Sequence, residues 1–207
     1  MKLCGLTGGV GMGKSTAAGF LLELGARVVD TDEIARDLVQ PGQPALAEIQ
    51  KQFGSGILAA DGSLNRAALA RIVFADKNAL KKLESILHPR IRERWSSQVE
   101  QWRQENYPLA VVVIPLLFET QAENHFDQII CVACSPVSQH ERLRSRGWTL
   151  EQIRQRNAAQ MPVGQKLARS HFVIWTEGAL EVHRRQIVET IRKTGVFLVL
   201  LICNHIR

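Results

Sequence analysis

The sequence predicts an α/β fold: a parallel five-stranded sheet flanked by helices and interrupted by two long helical insertions. Three observations predict it. Short apolar runs alternate with amphipathic stretches, the pattern of a parallel sheet covered by helices. The stretch TGGVGMGKST (7–16) sits between the first apolar run and the first amphipathic one. Two long polar, helix-forming segments separate later runs. With 45% apolar and 22% charged residues among 207, the chain is able to bury a core as one compact domain.

Taken in order, KLCGL (2–6) reads as strand 1, and Lys14 to Leu24 as a helix closed by Gly25 at its C′ position. ARVVD (26–30) is strand 2. A first helical insertion runs from about residue 33 to 106, divided by the turn signals PGQP (41–44) and DGS (61–63), with Asn65 and Asp76 as N-caps. PLAVVVIP (108–115) reads as a central strand buried on both faces, because residues 110–114 are uninterruptedly apolar. DQIICVA (127–133) is a further strand. A second insertion spans about 136–170, where Gly147 and Trp148 separate two basic helices, and HFVIW (171–175) is the last strand. The expected core is therefore about 1–32, 107–135 and 171–195. The tail VFLVLLIC (196–203) is too short to span a bilayer and is given no role.

Cys4, Cys131, Cys134 and Cys203 are too few for a disulfide framework. Residues three apart on a strand point to opposite faces, so CVAC (131–134) reads as two small core residues rather than a redox or zinc motif. Residues 1–6 run straight into glycines and Lys14 without an apolar leader segment, so a cytoplasmic location is expected.

Gly8, Gly13, Lys14 and Ser15 satisfy G-x-x-x-x-G-K-[ST] in full. Glycines let successive backbone N–H groups turn inward around an anion, and the helix that starts at Lys14 adds a positive end. Gly9, Gly11, Met12, Gly13, Lys14, Ser15 and Thr16 are thus the expected nucleotide-binding residues. Lys14 reaches the β- and γ-phosphates, Ser15 ligates Mg²⁺, and Thr16 adds a hydroxyl.

A right-handed crossover from strand 1 brings the end of strand 2, VVDTDEIAR (28–36), to the same edge of the sheet. Asp30 and Asp32 face one way if the strand persists; alternatively Asp30 or Thr31 caps the next helix. The net charge of +6 is concentrated between residues 139 and 169, where Arg142, Arg144, Arg146, Arg154, Arg156, Lys166 and Arg169 meet only Glu141 and Glu151. Arg142 and Arg146 are four apart, hence on one helix face, and suit phosphate contact. Arg144 reads as solvated. Nucleic acid also attracts such a cluster, but Trp148 is its only aromatic, so a base-stacking platform is missing. An N-K-x-D motif for guanine is absent as well.

LTGGVGMGKST (6–16), VVDTDEIAR (28–36), QPGQPALAEI (40–49), LESILHPRIR (83–92), IPLLFE (114–119), ERLRSR (141–146) and Q-M-P (160–162) follow one another in order across about residues 1–193. In this combination the chain resembles the dephospho-coenzyme A kinases, which are built like nucleoside-monophosphate kinases. The resemblance implies that the first insertion binds the acceptor and the second closes as a lid. It implies ATP and Mg²⁺ as cofactors, and transfer of the γ-phosphate to the ribose 3′-hydroxyl of dephospho-CoA. Asp32 matches the acid that orients or deprotonates that hydroxyl, with Lys14 and Arg142 as its catalytic companions. His88, Arg92, Leu116, Leu117 and Phe118 match positions lining the acceptor site, although His88 also suits a helix cap before Pro89 and Leu117 suits the core.

The chain departs from the family in two places. Ser170-His171 and Trp175-Thr176 stand where Ala-Asp and Asp-Asn are expected, which bears on the adenine side. No aspartate ends the strand at 110–114, leaving Asp30, Asp32 or Glu119 as stand-in Mg²⁺ ligands. The expected partners are ATP and dephospho-CoA, with no nucleic acid and no membrane, for a monomer or small homo-oligomer. Two other readings stay open: a kinase for another nucleotide-like acceptor, and a nucleotide-dependent nucleic-acid-binding or regulatory protein.

Overall fold

A computed structural model describes residues 1–196; the rest of the tail, with Cys203, lies outside them. Five strands form one sheet: β1 (Lys2–Gly8), β2 (Arg27–Asp30), β3 (Leu109–Val113), β4 (Gln128–Ala133) and β5 (Phe172–Trp175), in the order β2-β3-β1-β4-β5. β1 pairs in parallel with β3 (Lys2 opposite Leu109, Leu6 opposite Val113) and with β4 (Cys4 opposite Gln128, Gly8 opposite Val132). β4 pairs in parallel with β5. Every residue of β3 is buried, as its unbroken apolar run requires.

Both faces of the sheet are covered. On one, the alternating residues Cys4 and Leu6, Val111 and Val113, and Ile130 and Val132 form a core with helices α1 (Lys14–Glu23) and α9 (Leu180–Lys193), through Leu21, Ile187 and Ile191. On the other face a methyl group at Gly5 would lie 2.6 Å from a Leu117 methyl and 3.1 Å from the Phe126 ring, so these side chains pack on the bare glycine backbone. Helix α1 ends in a Schellman turn: Ala26 N–H donates to the Leu21 carbonyl and Gly25 N–H to that of Leu22 (3.0 and 2.9 Å).

The chain divides into two compact units. One holds Met1–Val29 and the described residues from Trp102 on; the other is Asp30–Gln101. The second has its own core of Val39, Ile49, Ile57, Leu69, Val73, Ala79 and Ile86. It is built from α2 (Thr31–Asp37), α3 (Pro44–Phe53), α4 (Arg66–Ala75) and most of α5 (Lys77–Gln104). Pro44 opens α3 at its first turn, where its missing N–H is not needed. Asn65 caps α4 by accepting from Ala68 N–H at 3.0 Å, and the Asp76 carboxylate accepts from Asn78 N–H at the start of α5.

The second insertion contains three helices rather than two: α6 (Pro136–Arg144), α7 (Leu150–Ala158) and α8 (Val163–Arg169). Pro162 makes the additional break, since proline pushes its predecessor out of helical geometry and donates no hydrogen bond. Thr149 and Gln152 form a reciprocal capping box at α7.

His183 on α9 is buried, with its ring edge-on to Phe20 of α1 and its Nε2 without a hydrogen-bond partner among the described residues. Burial first, and then the Arg142 charge, lower its pKa from 6.5. The unfolded chain therefore takes up this proton before the folded one does. Stability from neutral His183 is complete above about pH 6.5 and declines as pH falls toward the lower folded value. Melting curves of the parent and His183→Leu between about pH 7.5 and about pH 5 check this, because the parent should lose stability on acidification relative to the variant. Parallel curves would remove His183 as the cause.

Candidate active site

β1 runs directly into the glycine loop, and α1 begins where the loop ends. Gly8 has φ 146°, and a methyl group there would sit 2.2 Å from the Val132 carbonyl oxygen on β4. Gly11 has φ 73°, and a methyl there would lie 2.8 Å from the Leu143 side chain on α6. Only glycine fits both. Gly13, also left-handed, is the N-cap of α1, so the first backbone N–H groups of that helix open toward the loop. Met12 buries its side chain against Ala133, Cys134, Val163 and Leu167, so any part it takes in phosphate binding falls to its backbone. Lys14 Nζ donates to the carbonyls of Gly8 (2.9 Å) and Gly9 (3.0 Å). Ser15 and Thr16 are exposed in the first turn of α1. Loop, helix terminus, ammonium and hydroxyls together provide what a polyphosphate needs.

Side chains from α6 hold the loop from above. The buried Gln139 donates to the Val10 carbonyl at 2.8 Å, and its amide pairs reciprocally with Asn157 of α7. Arg142, one turn on, donates to the Thr176 hydroxyl at 2.9 Å and to the Thr176 carbonyl. That hydroxyl donates in turn to the Met12 carbonyl at 3.0 Å. Arg142 is thus tied through one hydroxyl to the phosphate loop. Glu177 follows, accepting from Ser135 N–H and Ser138 Oγ, both at 2.6 Å, at the N-terminus of α6. These hydrogen bonds, Ser138's first, pull its carboxyl down to about 2.

Arg146 lies in the closing turn of α6, one turn beyond Arg142. Ser145 keeps right-handed helical geometry and Gly147, at φ 82°, ends the turn, with Trp148 N–H donating to the Leu143 carbonyl; Arg146 is exposed and Arg142 half-buried. Arg144 is exposed, as a solvated residue should be. Two other cations of this segment are committed elsewhere: Lys166 pairs with Glu119 at 2.9 Å, and Arg169 with Glu123. Glu119 also accepts from Met161 N–H at 2.7 Å.

Strand β2 ends at Asp30, so Asp30 and Asp32 do not share a strand face. Asp30 is the N-cap of α2, accepting from Asp32 N–H at 2.8 Å, and Asp32 lies exposed in the first helical turn. His88 and Arg92 are exposed one turn apart on α5, hence on one face. Pro89 lies inside α5, so His88 is not a helix cap. Of the 116–118 segment, Leu116 is half-buried, whereas Leu117 and Phe118 are buried. Leu117 is a core residue, because Gly5 leaves the gap that it fills. Cys4, Cys131 and Cys134 are buried free thiols; burial pushes Cys4 up to about 12 and Cys131 to about 11, so they stay protonated and inert.

Three residues of the loop's surroundings escape a sequence reading. Gln139 is a lone amide with no motif around it. Thr176 stands out only as a departure from a family pattern. Lys166 has the sequence signal of a surface cation, since its partner Glu119 is far away in the chain.

The sequence profile of the dephospho-CoA kinase family matches residues 2–181. A dephospho-CoA kinase from Bdellovibrio bacteriovorus is 42% identical over 174 residues, 84% of this chain and 87% of its own length. One from Syntrophotalea carbinolica is 42% identical over 189 residues, covering 91% of this chain and 90% of the relative. Among solved structures, a protein from Thermus thermophilus superposes with TM-score 0.80 at 32% identity, covering 93% of this chain and 97% of the other. The dephospho-CoA kinase from Campylobacter jejuni superposes with TM-score 0.69 at 27% identity, covering 94% and 98%.

Gly8→Ala should cost on the order of 3 kcal/mol in denaturant unfolding, because the clash is with backbone and no rotamer relieves it. The same variant should bind ATP far more weakly than the parent by titration calorimetry. Parental stability and affinity in this variant would show that β4 moves aside freely.

Proposed function

Because the chain belongs to the dephospho-CoA kinase family, with ATP as donor, dephospho-CoA as acceptor and coenzyme A as product, we propose that the glycine loop and Arg142 form its donor side, with Asp32, His88, Arg92 and Leu116 serving the acceptor. The observation that carries this reading is the chain Arg142–Thr176–Met12, which ties a lid arginine to the phosphate loop.

In this reading Lys14 exchanges the carbonyls of Gly8 and Gly9 for the β- and γ-phosphates, and Thr16 adds a hydroxyl. Arg142, and with it the exposed Arg146, supplies positive charge around the transferring group. The transition state is loose, with charge spread over the equatorial oxygens, so positioning and electrostatics dominate. An arginine there contributes roughly 10³–10⁵ in rate, about 4–7 kcal/mol, whereas a helix terminus contributes at most about 2 kcal/mol. The ribose 3′-hydroxyl forms its bond to the γ-phosphorus as the bond to the β-bridging oxygen breaks and ADP leaves. Asp32 orients the hydroxyl and accepts its proton, then passes it to solvent. A modest base suffices, since little nucleophile activation is required.

His88 and Arg92, exposed on one face of α5, suit the acceptor's diphosphate. Ser15, whose hydroxyl is exposed beside the glycine cradle, is the residue that fits Mg²⁺, an ion that would neutralise charge between the phosphates. No described helix is long and apolar enough to cross a membrane, and the buried free thiols suit the cytoplasm.

Purified protein with Mg-ATP and dephospho-CoA should yield coenzyme A by mass spectrometry, and a panel of other nucleotide-like acceptors should not compete. Asp32→Asn should lower kcat by about 10² or more with the KM for ATP nearly unchanged. Equal losses in both would make Asp32 a metal or structural residue. Arg142→Ala should lower kcat by roughly 10³; an unchanged kcat would return Arg142 to a merely structural role beside Thr176.

A further inference from the structure

Lys166 is fully buried, unusual for a lysine, and nothing in the donor chemistry uses it. From α8 its Nζ donates to the Pro115 carbonyl at 2.6 Å and to Glu119 Oε1 at 2.9 Å. These two groups bracket residues 116–118. The Pro115 carbonyl also accepts from the Thr7 hydroxyl at 3.3 Å, at the end of β1 just before the glycine loop. Glu119 Oε1 is shared with Met161 N–H, at the entrance to α8. One turn further along α8, the Arg169 guanidinium lies 4.5 Å from the centre of the Phe118 ring and pairs with Glu123. One face of one helix thus grips the start, the middle and the end of the segment that follows β3.

From this geometry we propose that Lys166 is a positioning residue for the acceptor: it clamps the ends of the Leu116–Phe118 segment and so sets how Leu116 is presented to dephospho-CoA. The proposal rests on the reading of that segment as part of the acceptor site.

The geometry of the contact favours positioning over bulk stability. A buried ion pair seldom stabilises a fold more than apolar residues of equal volume, but its directed donors admit one arrangement only. Here Lys166 Nζ and Met161 N–H converge on Glu119 Oε1 at 2.9 and 2.7 Å while the same ammonium holds the Pro115 carbonyl, so both ends of the segment are fixed relative to α8. The clamp also explains why a turn of three successive apolar residues, with Leu116 only half-buried, holds its short-range bonds, such as Thr120 N–H to the Leu116 carbonyl at 3.0 Å and Ala122 N–H to that of Leu117 at 2.9 Å.

Lys166→Met and the double variant Lys166→Met/Glu119→Gln test this by steady-state kinetics and amide hydrogen exchange. The double variant leaves no unpaired buried charge, and the amide oxygen introduced by Glu119→Gln still accepts from Met161 N–H, so it keeps its fold if the single variant does not. In either variant the KM for dephospho-CoA should rise roughly tenfold or more, with the KM for ATP within about twofold of the parent's. Faster exchange should be confined to the amides of residues 116–122. A purely structural Lys166 would instead speed exchange throughout and leave both KM values alone. A parental KM for dephospho-CoA in the double variant overturns the clamp, as does an equal rise for both substrates. Leu116→Ala separates the underlying reading: if it leaves the acceptor KM unchanged, the segment is not part of the acceptor site, whatever the exchange data say of Lys166. If it raises that KM and the Lys166 variants do not, only the clamp fails.

Discussion

A loop that turns its N–H groups toward an anion must turn carbonyl groups toward the protein, and buried carbonyls need donors. This constraint organises the surroundings of the glycine loop. The Gly8 and Gly9 carbonyls accept from Lys14, that of Val10 from Gln139, and that of Met12 from Thr176. Each donor comes from a different element: α1, α6 and the turn after β5. The loop holds its shape because three parts of the chain converge to satisfy its outer side. Lys14 is the one donor of the three that phosphate would call away, and the close approach of Gly8 to β4 limits how far the loop relaxes when it leaves.

The same logic accounts for the second insertion. Its basic residues look alike in sequence but divide by partner in space. Lys166 and Arg169 serve the turn after β3 through Glu119 and Glu123, whereas Arg142 serves the loop through Thr176. The charge excess that a local count assigns to this segment is therefore partly cancelled by acids from far earlier in the chain. Of the five that remain, Arg144, Arg146, Arg154 and Arg156 are exposed, and Arg142 is the one tied to the loop.

The five strands were legible to within a residue or two: β1, β3 and β4 are buried on both faces and read as apolar runs between turn residues, while the partly exposed edge strands β2 and β5 still show as short runs rich in Val, Ile and aromatic residues. The Gly25 cap of α1 and the Asn65 and Asp76 caps were legible because capping is local chemistry. Helix limits set by more than one signal were not. Asp30 ends a strand and starts a helix at once, so the spacing of Asp30 and Asp32 misleads about their faces. Pro162 splits what reads as one helix into α7 and α8. Pro89 sits mid-helix, where packing of α5 outweighs one lost hydrogen bond. The site partners Gln139, Thr176 and Lys166 depend on pairings across long stretches of chain, which a single sequence does not encode locally.

Thr176 shows how a departure from a family pattern is to be read. A threonine hydroxyl has one hydrogen to give and two lone pairs to offer. Here the hydroxyl accepts from Arg142, and its hydrogen is shared between the carbonyls of Met12 (3.0 Å) and Ala133 (3.3 Å), while the backbone N–H donates to Ala133 at 2.8 Å. The side-chain methyl, meanwhile, packs 3.2 Å from where a Gly13 Cβ would stand. The hydroxyl hydrogen goes to the loop and to β4, and one lone pair goes to the arginine, so a single side-chain oxygen joins α6 to the glycine loop while the methyl fills the space beside Gly13.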